Sequence, residues 1–261
     1  MTASSLTALR AALILGAAGL ATSAYAAPAV GLVGESTLVM FDTETREVSG
    51  TMEVTGVDAL AGIDVRPADK MLYGVTLSGD VVTIDTASGA ATVKSTLSEM
   101  LPSYEGAIVD FNPMADRLRL MSTDGINHRV NVDDGMVTVD GSLAFEEADM
   151  HAGEAPDIVE AAYINSYGKP ESTAMYDIDA TIAALIQQIS PNDGTLAAIG
   201  KLGVEGSAYA FDIATTEDMT NTAFLTIDNV LHTVDLESGT AEAWGPIEGV
   251  DGMITDLAIL Q

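Results

Sequence analysis

The chain has 261 residues, 48% of them hydrophobic, with no cysteine and with 10 Lys and Arg against 39 Asp and Glu, a formal net charge of −29. Such an excess of carboxylates repels nucleic-acid phosphates and anionic lipid, so neither is an expected partner. Without cysteine there are no disulfides, and stability must come from burial in a core that a chain of this length can build as one domain.

The N-terminus reads as a secretory signal peptide over residues 1–26: Arg10 is the basic flank, residues 11–21 the short apolar run, and Ala24-Tyr25-Ala26 the cleavage site. That run is too short to anchor in a bilayer, and no later stretch is apolar and long enough to span one as a helix. A mature domain over residues 27–261 is therefore expected, exported to the periplasm or the extracellular medium and a monomer, with no membrane insertion of the mature chain.

Short alternating segments separated by turn residues follow. Residues 30–33, 37–41 and 49–54 give three strands. Four come next at 63–66, 71–76, 81–85 and 90–94, then four at 108–112, 117–121, 128–132 and 136–139. Another four lie at 161–165, 174–179, 184–189 and 195–199, and four more at 210–213, 223–227, 231–235 and 241–244. A helical reading of residues 179–188 gives way to a strand, because Thr173-Ala174-Met175-Tyr176-Asp177-Ile178-Asp179 aligns with Thr222-Ala223-Phe224-Leu225-Thr226-Ile227-Asp228. A last strand at 256–260 has nothing after it, and it completes the three-stranded unit at the other end. Units of about 40–50 residues with four strands each are the signature of propeller blades. The expected fold is an all-β, five-bladed propeller with four strands per blade, its first blade closed by the C-terminal strand. Pairing the two termini removes the open edges of the ring.

The recurring Asp85-Thr86-Ala87-Ser88-Gly89 and Asp235-Leu236-Glu237-Ser238-Gly239 invite a calcium reading. They have too few ligands for a calcium loop, and an Asp-capped turn with Gly at positive φ accounts for them.

The familiar catalytic patterns are missing: no Gly-x-Ser-x-Gly, no phosphate loop, no dinucleotide fingerprint, no His-Glu-x-x-His. The three histidines, His128, His151 and His232, are far apart in sequence. What remains is positional. Alignment of the inner strands places Asp64, Asp110, Tyr163, Asp212 and Asp256 at one level, with Arg66, Asn112 and Asn165 two residues later on the same face. Four carboxylates around one axis could hold a cation or act as acid and base on a sugar. Recurrence at equivalent positions favours a structural role, each Asp bonding backbone at the crowded centre. No cofactor is expected, with calcium as the one ion these groups could take.

The third unit breaks the repeat. Arg117, Arg119 and Arg129 lie on adjacent strands, with Asn127 and Asn131 flanking Arg129. Guanidinium forks and neighbouring amides bind carboxylates, sulfates or sugars, while a salt-bridge lattice with Asp110, Asp116, Asp133 and Asp134 is the structural alternative. The longest connection, residues 144–160, carries His151 and should share a rim with Asp124. Arg117, Arg119, Asn127, Arg129, Asn131, His151, Tyr163 and Asn165 are the candidate ligand-binding residues.

Gly62-Ile63-Asp64-Val65-Arg66-Pro67, Asp110-Phe111-Asn112-Pro113 with Asp116-Arg117-Leu118-Arg119, Ala162-Tyr163-Ile164-Asn165-Ser166 and Asn192-Asp193-Gly194-Thr195-Leu196 occur in this order. Together they resemble the bacterial domain-of-unknown-function 4394 family over nearly all of the mature chain. The resemblance implies a secreted propeller-like domain and brings no activity or mapped site. The expected function is a non-enzymatic binding module for a small molecule, glycan or envelope protein. A glycoside-type hydrolase using the channel carboxylates, with or without calcium, is the alternative, and a purely structural envelope protein would show no pocket.

Overall fold

The computed structural model describes residues 26–104 and 106–260; all but the last residue of the expected signal peptide lies outside the described residues. Five sheets, antiparallel except for one added outer strand, surround one axis. The first joins β1 (Pro28–Val33), β2 (Thr37–Asp42) and β3 (Val48–Glu53) to the innermost strand β21 (Ile254–Ile259). The second is β4 (Leu60–Arg66), β5 (Met71–Thr76), β6 (Asp80–Ile84) and β7 (Ala91–Thr96), and the third β8 (Ile108–Asn112), β9 (Arg117–Met121), β10 (Asn127–Val130) and β11 (Val137–Val139). The fourth holds β13 (Ile158–Tyr163), β14 (Met175–Asp179), β15 (Ala184–Ser190), β16 (Thr195–Lys201) and an extra outer strand, β12 (Ala144–Phe145). The fifth is β17 (Tyr209–Thr215), β18 (Asn221–Ile227), β19 (Val230–Val234) and β20 (Ala241–Pro246). Each inner strand, β21, β4, β8, β13 and β17, touches the inner strands of both neighbours, so the ring is closed.

Closure rests on β21 pairing antiparallel with β1, Val30 opposite Ala258 and Leu32 opposite Asp256. The five-bladed fold read from the sequence is thus the observed one. Residues 184–190 form β15, the strand chosen over the helical reading. The β12 strand is a departure from four strands per blade. Leu143 and Phe145 bury their side chains between the third and fourth blades, which draws the backbone alongside β16, Ala144 opposite Thr195 and Phe145 opposite Leu196. This covers the edge of the fourth sheet.

The core is divided among the five blade-to-blade interfaces. Phe41, Phe224 and Ile254 fill the one between the fifth and first blades, Leu38, Ile63 and Leu72 the next, and Tyr73, Phe111 and Leu118 the third. Met121, Tyr163 and Ile186 occupy the fourth, and Ile178, Phe211 and Leu225 the last. Inner strands are covered on both faces and read as near-continuous apolar runs, while outer strands such as β7 and β20 have no buried residue.

The 85–89 turn latches the second blade onto the first. Asp85 Oδ1 accepts the N–H groups of Ala87 and Ser88 at 2.8 and 3.2 Å, and the Gly89 carbonyl accepts the Thr55 N–H at 2.9 Å. At the corresponding turn of the third blade, the Gly135 carbonyl accepts the Ser98 N–H at 2.8 Å. Gly135 has φ of 73°, and a Cβ there would overlap the Thr96 carbonyl. A turn that is also a blade contact accounts for these motifs without an ion.

Candidate functional site

The inner-strand carboxylates lie on two levels. Asp64 Oδ2 accepts the N–H of Phe111 at 2.7 Å, Asp110 Oδ1 that of Tyr163 at 3.1 Å, and Asp212 Oδ2 that of Ile259 at 2.6 Å. Each bond reaches the next blade one residue beyond the equivalent position, so this level consists of Asp64, Asp110, Ala162, Asp212 and Ala258. Asp256 belongs to the level two residues earlier, with Gly62, Ile108, Glu160 and Ala210; its Oδ2 accepts the Ile63 N–H at 2.6 Å. Gly62 is required there, because a Cβ would stand 2.8 Å from Asp256 Oδ2 and 2.7 Å from Val109 Cγ2. Two placements of the sequence alignment are thereby corrected. The fourth blade contributes Ala162 rather than Tyr163 to the carboxylate level, and Asp256 is displaced along the axis from the other three.

All four aspartates are nearly buried and bond backbone; Asp64, Asp212 and Asp256 also accept the N–H of their own following residue. Burial raises Asp64 and Asp110 well above the usual carboxylate range, with neighbouring aspartates adding to the effect. Burial likewise pushes Asp212 up to about 6 and Asp256 up to about 8. The missed acid is Glu160, also buried and raised well above its ordinary value by burial and then by Asp256 and Asp212. Its only sequence signal was its place two residues before Ala162. The cavity beside Asp64, Asp110, Ser166 and Asp212 has room for about one water, so a sugar ring cannot enter it.

Arg119 and Tyr163 meet between the third and fourth blades. Asp110 stands opposite Arg119 in the β8–β9 pair, and both face the fourth blade. Arg119 is 1% exposed and saturated. Its Nη1 donates to Asp140 Oδ2 and Asn127 Oδ1, both at 2.7 Å, its Nη2 to Asn192 Oδ1 at 3.1 Å, and both Nε and Nη2 to the Tyr163 hydroxyl at 3.3 Å. Asn127 in turn donates to the carbonyls of Gly141 and Pro191. Arg119 and Asn127 are positioning residues that bolt two blades together and cannot reach a ligand. The ion-pair partner is Asp140, not the aspartates suggested by the sequence; Arg129 forks onto it through Nε at 2.6 Å and Nη2 at 2.9 Å. Asp116 pairs with Arg66 of the second blade at 2.6 Å.

Arg129, whose side chain is 31% exposed, faces an open cleft of about 500 Å³ between these blades. Asn112 of the third blade and Tyr163, Gln187, Gln188 and Asn192 of the fourth share the lining. Gln188 is 2% exposed; its Nε2 donates to the Pro191 carbonyl at 3.3 Å, while its Oε1 has no partner. Sequence reasoning missed the Gln187-Gln188 pair, because its facing partners come from another blade.

The other candidates lie apart from this cleft. Arg117 donates to the carbonyls of Ala115 and Asp116, and Asn131 caps the turn before Gly135. Asn165, at φ 61°, exchanges hydrogen bonds with Asn221 and so ties the fourth blade to the fifth. His151 bonds Glu154 at 2.9 Å and stacks beside Phe145 at 5.4 Å. Its loop leaves the same face as the 122–126 turn, whose Gly125 carbonyl accepts the Leu143 N–H.

Residues 37–258 match the family described as "Domain of unknown function (DUF4394)". The chain belongs to this family. No curated protein matches the DUF4394 chain in sequence. Among solved structures, a structural-genomics protein of unknown function from Bacteroides thetaiotaomicron is similar at 15% identity and TM-score 0.54, covering 91% of the DUF4394 chain and 65% of its own. The DUF4394 chain thus spans about two thirds of that protein's length. A protein of unknown function from Bacteroides caccae is similar at 10% identity and TM-score 0.44, covering 90% and 99% of the two chains. An auxiliary nutrient binding protein from Bacteroides thetaiotaomicron is similar at 12% identity and TM-score 0.45, covering 75% and 56%. At 15% identity the first of these likenesses bears on the fold alone.

Proposed function

We propose that this propeller is a non-enzymatic binding module, exported and monomeric, whose ligand is a small saccharide or sugar acid held in the cleft between the third and fourth blades. The observation that carries the reading is the open cleft of about 500 Å³ lined by polar side chains of two blades, Arg129 and Asn112 from the third and Gln187 and Asn192 from the fourth. Arg129 Nη1, which takes no part in the fork onto Asp140, and the amides of Asn112 and Gln187 supply donors for hydroxyl or carboxylate oxygens, and the cleft volume lies in the range of small-ligand sites. Export rests on residues 1–26. The hydrolase reading is disfavoured by the size of the axial cavity and by the backbone bonds of all four aspartates.

A panel of neutral and carboxylated mono- and oligosaccharides, titrated calorimetrically, tests this. Gln187→Ala and Arg129→Ala should each weaken binding by about 5- to 20-fold while the fold is retained, the loss of one or two hydrogen bonds. Equal affinity of both variants and the wild type would remove the ligand from this cleft.

A further inference from the structure

We propose that the axis of the propeller holds one divalent cation, calcium in preference to magnesium, bound by Asp64, Asp110 and Asp212. One oxygen from each carboxylate lies within 4.8 Å of the others. Three oxygens around one calcium at about 2.4 Å stand roughly 3–4 Å from one another, a spacing within that bound. Magnesium keeps several of its waters, and this cavity has room for about one.

The carboxylates are held in place for this. Backbone amides from the blade's own strand and the next one fix Asp64 and Asp212, each amide using one lone pair and leaving others towards the cavity. Asp110 takes an amide only on Oδ1. The Ser166 residue shares the lining, and the cavity fits one small ion.

A second observation, outside the trio, points the same way. Glu160 is 5% exposed, and its carboxylate has no hydrogen bond or ion pair among the described residues. It lies close enough to Asp212 and Asp256 to feel both charges. Among the described residues, the ion pairs join no Lys, Arg or His to Asp64, Asp110, Asp212, Asp256 or Glu160. Five acids grouped about one axis without a basic partner are a costly arrangement, and a cation offsets it. This site is separate from the saccharide cleft, and either can stand without the other.

The test uses the exported chain, stripped with a chelator and then titrated with calcium or magnesium chloride. Calorimetry should give one calcium per chain, and calcium at about a hundredfold above its Kd should raise Tm by roughly 5–10 °C, with a smaller rise for magnesium. Asp110→Asn keeps the oxygen that accepts the Tyr163 N–H. In chelator it should be at least as stable as wild type, because one like charge is gone, and it should lose the calcium response. No calcium binding by wild type, or an equal response in Asp110→Asn, overturns the proposal. If that variant does not fold, manganese-soaked wild-type crystals decide: an anomalous peak among the three carboxylates supports the site, and its absence there refutes it.

Discussion

At the scale of single residues, the inner strands use aspartate as a clasp. A carboxylate that accepts its own strand's amide and one from the next blade satisfies donors that the crowded centre cannot otherwise pair. The cost is desolvation, visible in Asp256, pushed up to about 8 by burial. Between the unfolded value near 3.8 and about 8, the folded state keeps a proton that the unfolded chain releases. Stability therefore falls as pH rises across that window and is highest on its acidic side. In the presence of a chelator, Tm should drop by several degrees between pH 5 and pH 8, and Asp256→Asn should flatten part of that slope. A Tm that rises over the same interval in wild type would contradict the burial of these acids. Arg119 shows the opposite case. Its charge was legible as an exception in a chain poor in arginine, but its partners Asp140, Tyr163 and Asn192 are drawn from a terminal turn and another blade. Sequence spacing cannot bring those together, so a positioning residue read as a ligand-binding one.

At the scale of strands and turns, alternation and turn residues located the strands to within a few residues, because inner strands are buried and hairpins carry residues suited to positive φ. Asp228 and Asn229, at φ 49° and 63°, make the two-residue turn between β18 and β19. Depth along the axis was less legible. A one-residue slip turns a side chain to the other face, which is how Tyr163 stood in for Ala162; a two-residue slip keeps the face and changes the level, which is what befell Asp256. The β12 strand was not legible, since two residues carry no period and its pairing is set by Leu143 and Phe145 entering the core. The latch turns make a direct prediction. Gly135→Ala combines positive φ with overlap of a neighbouring carbonyl, and denaturant unfolding should show a loss of about 2–3 kcal/mol. A change below about 0.5 kcal/mol would mean that the turn does not hold the blades together.

At the scale of the whole molecule, fivefold repetition builds a closed scaffold, and function belongs where the repetition fails. The ring and its split first blade were legible because the repeat is one of composition and spacing. The cleft was only half legible: Arg129 and Tyr163 stood out, whereas Gln187, Gln188 and Asn192 look like ordinary strand and turn residues until the third and fourth blades are placed side by side. Clefts at other blade junctions, one lined by Thr83, Thr92 and Leu260 between the first and second blades and one lined by Arg46, Val48 and Trp244 between the fifth and first, serve as internal controls. Crystals soaked with a set of small saccharide and sugar-acid fragments measure the central claim directly. The account predicts electron density for these fragments in the cleft between the third and fourth blades, with ligand oxygens on Arg129 and Gln187. Fragments spread evenly over these clefts, or bound only outside the one between the third and fourth blades, would contradict it.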